Sequence, residues 1–253
     1  MLIENKVVLI TGAAGDIGTG SALACHKEGA LLALADIDTE RLARKIAENG
    51  FSSDRCLILK CDVTAEDDVK AMVQNTVKHY GRIDVFHNNA GTTGRREKIA
   101  ELNLEAYRNW LDVNLIGFIS CMKHVLGQMY RQGSGAVINT ASQVAHRPSV
   151  GGSDYCMQKS AVLMLTKIAA LESNGTGVRI NAISPGYVDS QMMRNNFVKF
   201  PDLEESIRKN VPLNRMCTPE EIGRVIAFLG SDHASYISGQ EIGVDGGHMA
   251  NYL

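Results

Sequence analysis

Val7-Val8-Leu9-Ile10-Thr11-Gly12-Ala13-Ala14-Gly15-Asp16-Ile17-Gly18 reads as a strand running straight into a glycine-spaced turn. The apolar run Lys6–Thr11 has strand length, glycines follow at 12, 15 and 18, and a helical pattern continues through Ser21–Glu28. Such a turn lets the backbone approach a pyrophosphate closely, and the exposed amides at the positive helix end receive its charge. The spacing is GxxxGxG and not GxGxxG, and taken alone it reads equally as a simple turn. Its place directly behind the first strand makes Gly12, Gly15, Asp16, Ile17 and Gly18 a candidate phosphate cradle.

The alternation of short apolar runs and helical patterns continues along the chain. Strands are expected at Leu31–Asp36, Cys56–Asp62, Ile83–Asn88, Gly135–Ala141, Val178–Ser184 and Glu241–Val244. They are apolar along their length, as a parallel sheet covered on both faces requires. Helical spacing lies between them at Thr39–Glu48, Ala65–Tyr80, Leu104–Arg131 and Asp154–Leu171. The expected fold is therefore α/β, a Rossmann-type doubly wound parallel sheet of about seven strands with helices on both faces. No linker or repeat divides the chain, so one domain is expected over residues 1–253. The stretch Gln191–Asn210 is the least regular and reads either as a substrate lid near 190–210 or as a peripheral helical excursion.

Composition narrows the partners. The chain is 45% hydrophobic and 21% charged, as in globular proteins. Its net charge of −2, from 26 basic and 28 acidic residues, points to no nucleic-acid partner. The densest basic cluster, Arg95-Arg96 with Lys98, reads as a solvated loop. Six cysteines match no zinc or redox template, and several sit in apolar runs, which suggests a reduced, cytoplasmic protein. No signal peptide or membrane span is legible, and the seven histidines form no metal motif.

Asp36 closes the second strand. A carboxylate there accepts both ribose hydroxyls of an adenosine and repels a 2′-phosphate. Like charges about 4 Å apart at an effective dielectric of about 20 cost about 4 kcal/mol, enough to favour NAD over NADP. The competing reading, a helix cap, falls more naturally to Asp38. Asp62-Val63 and Asn88-Asn89-Ala90-Gly91 close the next two strands at the edge where ligands bind. Asp62 suits an adenine amino group or a cap near Thr64. Asn89, Ala90 and Gly91 suit close backbone approach or a turn.

Tyr155 and Lys159 stand at i, i+4 and project from one helix face. A free phenol titrates near about 10, too high for an efficient base, and an adjacent ammonium is expected to lower it. A surface Tyr/Lys pair is the alternative. Ser142 ends the fifth strand, and Asn114 lies within a helix that asparagine does not favour.

These residues together, TGAAGDIG, Asp36, Asp62-Val63, NNAG, Asn114, Ser142, Tyr155-x-x-x-Lys159 and Pro185-Gly186, resemble the classical short-chain dehydrogenase/reductase family over essentially the whole chain. The resemblance implies a catalytic set of Asn114, Ser142, Tyr155 and Lys159. Ser142 would hold the substrate oxygen, Lys159 would also bind the nicotinamide ribose, and Asn114 would hold a helix irregularity and a relay water. It further implies that Pro185, Gly186, Val188 and Ser190 border the nicotinamide. Ser190 replaces the usual threonine there, and Gln158 stands where a serine commonly precedes the lysine.

The expected activity is hydride transfer between NAD(H) and a secondary alcohol or ketone, small or cyclic. The alternatives are a polyol or sugar dehydrogenase, a 3-oxoacyl thioester reductase, or an NAD(H)-binding regulatory protein without turnover. Candidate substrate contacts are Ser142, Gln143, Gly152, Tyr155, Tyr187 and Met192, with Ala145, His146, Val150, Gly151 and Met193 nearby. The resemblance also suggests a homotetramer built through the helices of Asn114 and Tyr155 and the last strand. Trp110 and Met122 read as interface or core, and Gly246-Gly247-His248 to Leu253 as a segment able to reach a neighbour's pocket.

Overall fold

Alternate residues of the first strand face opposite ways, and both directions are apolar. Val8 and Ile10 pack on one side of the sheet, while Leu9 packs on the other. A strand with no polar face is stable only between two helical layers. The computed structural model describes residues 1–94 and 96–250 and shows that arrangement. Arg95 and the Asn251–Leu253 end of the expected carboxyl-terminal reach lie outside the described residues, as does the side chain of Met192.

Seven parallel strands among the described residues form one sheet: β1 (Val7–Thr11), β2 (Leu31–Asp36), β3 (Cys56–Lys60), β4 (Val85–Asn88), β5 (Gly135–Thr140), β6 (Val178–Pro185) and β7 (Glu241–Val244). Their order is β3-β2-β1-β4-β5-β6-β7, so the winding reverses between β1 and β4. Each strand falls within two residues of its expected position. The doubly wound parallel sheet of seven strands is the one anticipated.

The helices are α1 (Asp16–Lys27), α2 (Thr39–Glu48), α3 (Glu66–Tyr80), α4 (Leu104–Leu111), α5 (Gly117–Gln132), α6 (Ser153–Glu172), α7 (Gln191–Lys199), α8 (Leu203–Asn210) and α9 (Pro219–Gly230). Ala22 and Cys25 of α1 join Ile222 and Ile226 of α9 in one core. Val69 and Met72 of α3 join Cys121, Val125 and Met129 of α5 in the other. Met122 is a core residue and not a surface one. Helices α1 and α9 cross so closely that a Cβ on Gly20 would collide with Pro219, and one on Gly223 with the Gly20 carbonyl.

Three features sharpen the sequence expectation. Leu104–Arg131 is not one helix: a π-turn at Asp112–Ile116 separates α4 from α5, at the position where the resemblance implies an irregularity held by Asn114. Residues 191–210, read as a lid or as a helical excursion, are built of two helices. Helix α9 was not anticipated, although Thr218 and Glu221 form a capping box ahead of Pro219 that announces it. Among the described residues no helix is long and apolar enough to cross a membrane.

Candidate active site

The carboxyl ends of β1 and β4 diverge at the reversal and open a crevice of about 250 Å³ lined by Gly12, Asp36, Ile37, Asp62, Ala90 and Thr92 among others. Thr11 knits its floor. The Thr11 hydroxyl accepts from Asn89 N–H at 3.0 Å and Ala90 N–H at 3.2 Å, and Asn89 Nδ2 donates to the Thr11 carbonyl at 3.1 Å. Gly12 has φ 64°, and a Cβ there would lie 2.8 Å from Ala90 Cα. A Cβ on Gly18 would strike the Gly12 carbonyl, so the turn closes only with glycine at both positions.

Gly15 caps α1 with no side chain bonded to the helix end, and the first residues of the helix are Asp16, Ile17 and Gly18. Backbone amides at an uncapped helix start suit a pyrophosphate. Asp36 Oδ2 accepts from Ala14 N–H at 2.9 Å and Oδ1 from Asp38 N–H at 3.0 Å. Each oxygen keeps a lone pair for a ribose hydroxyl. Asp38, as expected, caps α2 by accepting from Arg41 N–H. Asp62 accepts from both Thr64 groups on Oδ1, and α3 begins only after Ala65, so it shapes a turn rather than capping the helix. Its neighbour Val63 is buried. The cradle, the carboxylate and the crevice together fit a dinucleotide.

The second cluster lies on the adjoining strand ends. Lys159 is buried, donates to the Thr140 carbonyl at 2.7 Å, and places its Nζ 4.8 Å from the Phe118 ring centroid and 5.6 Å from that of Tyr155. Burial pulls the Lys159 amine down from 10.5 to about 7. Burial likewise pushes the Tyr155 phenol up to about 12, with the Ser142 hydroxyl working against it and Cys156 adding to it. The expected lowering of Tyr155 is therefore corrected. The Lys159 amine donates to a backbone carbonyl, and desolvation of the phenol is the largest cause of its shift.

Asn114 occupies the π-turn and is 1% exposed. Its Oδ1 accepts from Thr92 N–H and its Nδ2 donates to the Thr92 carbonyl, both at 2.8 Å. That pair of bonds joins the helix irregularity to the loop after β4. A Cβ on Gly91 would come within 3.0 Å of Asn114 Oδ1 and 3.9 Å of Lys159 Nζ, so this loop runs beside both groups. Thr92 escaped sequence reading, since a threonine in a loop carries no signal of its own.

Pro185 now ends β6, and Gly186 follows, too close to Asp245 for a side chain. Val188 bridges to Cys217: Cys217 N–H donates to the Tyr187 carbonyl, and Asp189 N–H to the Cys217 carbonyl. In that pattern the amide and carbonyl of Val188 itself point the opposite way. Ser190 is buried and accepts from Met193 N–H at 3.2 Å, closing the first turn of α7. Asp16 Oδ2 accepts from Gln191 N–H at 2.7 Å, which ties α7 to the phosphate cradle.

Among the expected substrate contacts, Gln143 is buried next to Ser142 and Oε1 meets His248 Nδ1 at 2.6 Å. The Tyr187 ring lies 5.2 Å from that of His248. Gly152 is buried at the start of α6, where a Cβ would meet Cys156. Met193 is half-buried, whereas Val150 is 86% exposed. His146 is exposed and pairs with Glu241 at 2.7 Å.

A half-buried phenol and a buried amine beside a dinucleotide cradle place the chain among the Rossmann-type oxidoreductases. The model of the family described as enoyl-(acyl carrier protein) reductase matches residues 12–249. The chain belongs to the short-chain dehydrogenase/reductase family, whose members use nicotinamide cofactors. It is 36% identical over 248 residues to 3-oxoacyl-(acyl-carrier-protein) reductase FabG of Thermotoga maritima, covering 98% of this chain and 99% of that one. It is 34% identical to cis-4-hydroxycyclohexanecarboxylate dehydrogenase of Sinomonas cyclohexanicum, covering 97% of each. The crystal structure of levodione reductase superposes with a TM-score of 0.93 at 36% identity, covering 99% of this chain and 100% of that one.

Proposed function

We propose that this protein is an NAD-dependent alcohol dehydrogenase, working reversibly as a carbonyl reductase on a small or cyclic secondary alcohol or ketone. The observation that carries the reading is the buried Lys159 amine set against the Tyr155 ring beside Ser142. Asp36 supports NAD over NADP. Gly12, Gly15, Ile17 and Gly18 would hold the phosphates, with Asp62, Val63, Asn89, Ala90 and Gly91 along the adenosine side. Pro185, Gly186, Val188 and Ser190 would border the nicotinamide, which when bound accepts or returns the hydride.

The chain's own residues handle the proton. In reduction the Tyr155 phenol donates its hydrogen to the substrate oxygen, which Ser142 holds in place. A phenol held near 12 remains protonated at neutral pH and is ready for that step. Lys159, near its midpoint at about 7, is matched to passing a proton onward at neutral pH. Asn114 would complete the route towards solvent. In oxidation the same residues run in reverse, with the Lys159 charge favouring the phenolate.

The test is NADH formation followed by absorbance with a panel of secondary alcohols. Wild type is expected to turn over at least one, and Tyr155→Phe none, while still binding NADH. Tight NADH binding without turnover of any alcohol would instead support the non-catalytic regulatory reading. The likeness to a 3-oxoacyl thioester reductase favours a second reading, and acetoacetyl thioester preferred over every cyclic ketone would select it.

Assembly as a homotetramer is part of the proposal. Ile119, Met157, Met164, Ile168 and Leu171 are exposed apolar side chains on α5 and α6, the two helices expected at the interface. Light scattering at four times the chain mass would support it. Six unpaired cysteines suit a reducing cytoplasm, and α7 with α8 would serve as the substrate lid.

A further inference from the structure

His248 belongs to the short turn His248–Ala250 after β7, far along the chain from every residue assigned to chemistry above. It nevertheless packs against the substrate side of the site. Its Nδ1 lies 2.6 Å from Gln143 Oε1, its ring lies 5.2 Å from that of Tyr187, and Arg147 Nη1 donates to its carbonyl at 3.2 Å. Gln143 directly follows Ser142, so this pair stands one residue from the group that holds the reacting oxygen.

The pair has an unspent half. Among the described residues, one atom of the Gln143 amide and one of the His248 ring take a hydrogen bond. Burial and the Arg147 charge lower the His248 proton affinity, with Asp245 opposing, so the ring is neutral at physiological pH. A neutral ring whose Nδ1 donates to the amide oxygen leaves its own Nε2 as an acceptor and the amide NH2 as a donor. If the amide is turned over, the roles exchange: the ring N–H becomes the free donor and the amide oxygen the free acceptor. Either assignment leaves both a donor and an acceptor unspent on the pair. A hydroxyl, which both gives and takes, satisfies that pair. A carboxylate, which only accepts, would leave the acceptor unpaired, and a hydrocarbon would leave both atoms bare.

We propose that Gln143 and His248 form a subsite for a second hydroxyl on the substrate, so that the preferred substrates are diols and the corresponding hydroxyketones. This rests on the oxidoreductase reading above. His248 is then a specificity-determining residue contributed by the carboxyl-terminal segment of the same chain.

The test compares specificity constants for cyclohexanol and for the 1,2-, 1,3- and 1,4-cyclohexanediols with NAD. Wild type is expected to favour one diol by about tenfold or more, as one satisfied hydroxyl pair allows. His248→Phe, which keeps a ring against Tyr187, is expected to remove the preference through the diol's KM while sparing cyclohexanol. His248→Asn, which restores a donor and an acceptor, should recover part of it. Equal constants for all four alcohols would overturn the subsite alone. So would a His248→Phe variant that slows diol and monoalcohol alike, since that marks a structural role. No NADH from any alcohol would overturn the oxidoreductase reading and the subsite with it.

Discussion

Asp36 shows how much a single carboxylate determines. Both of its oxygens already accept a backbone N–H, from Ala14 and Asp38, so its position is held whether or not a ribose is present. Asp36→Ala removes the negative charge that opposes a 2′-phosphate. The proposed preference for NAD over NADP is expected to fall by at least about tenfold, read as the ratio of kcat/KM for the two coenzymes. An unchanged ratio would mean that discrimination lies elsewhere. At this scale the sequence was most informative, because a glycine turn, a strand-end carboxylate and a Tyr/Lys pair each sit at positions a reader can count. The direction of the Tyr155 shift was not legible. It depends on how completely the surrounding helices exclude water, and spacing says nothing about that.

Elements carry two further consequences. Asn114 is held in the π-turn by two bonds to Thr92 with its side chain fully enclosed. Asn114→Ala would leave the Thr92 N–H and carbonyl unpaired, and should lower stability by about 2–3 kcal/mol in urea titrations. A loss below about 0.5 kcal/mol would show that solvent replaces both bonds. At the crossing of α1 and α9, Gly223→Ala forces a methyl against the Gly20 carbonyl and Ala24. Separation of the two helices is expected to cost about 1–3 kcal/mol, with a parallel fall in melting temperature. Hydrophobic spacing over Leu104–Arg131 does not show the π-turn, because one extra residue in a turn leaves that spacing almost unchanged, and the irregularity at Asn114 was legible through the family resemblance alone. Helices α7 and α8 were obscured by their mixed polarity, since α8 buries only Ile207. The Gln143–His248 contact joins residues from two different strand ends, and no local pattern announces such a meeting.

At the scale of the whole molecule, buried ionisable groups set the response to pH. His87 lies in the centre of the sheet, fully enclosed, with Nε2 against the Thr140 hydroxyl at 2.8 Å. Burial lowers its ring from 6.5 to about 3. Below about 6.5 the unfolded chain takes up a proton that the folded chain refuses, so stability is full above that pH and is lost as the pH falls towards 3. His87→Gln is expected to flatten the loss by up to about 1.4 kcal/mol per pH unit, measured as urea midpoints from pH 7 to 4. A slope identical to wild type would assign acid sensitivity to other groups. Lys159 acts in a different window. Between about 7 and 10.5 the unfolded chain holds a proton that the folded chain lacks, so its contribution rises with pH.

The reversal of winding between β1 and β4 divides labour along the gene. Under the proposed function, coenzyme selection is written in the first third of the polypeptide, around Gly12 and Asp36, whereas proton handling and the walls of the reaction chamber come from the end of β5, from α6, from the turn after β6 and from the carboxyl-terminal turn. Mutational drift in the later portion can therefore explore new alcohols while the earlier portion keeps its redox currency. A lineage built on this plan diversifies its chemistry of acceptance without renegotiating how it carries electrons.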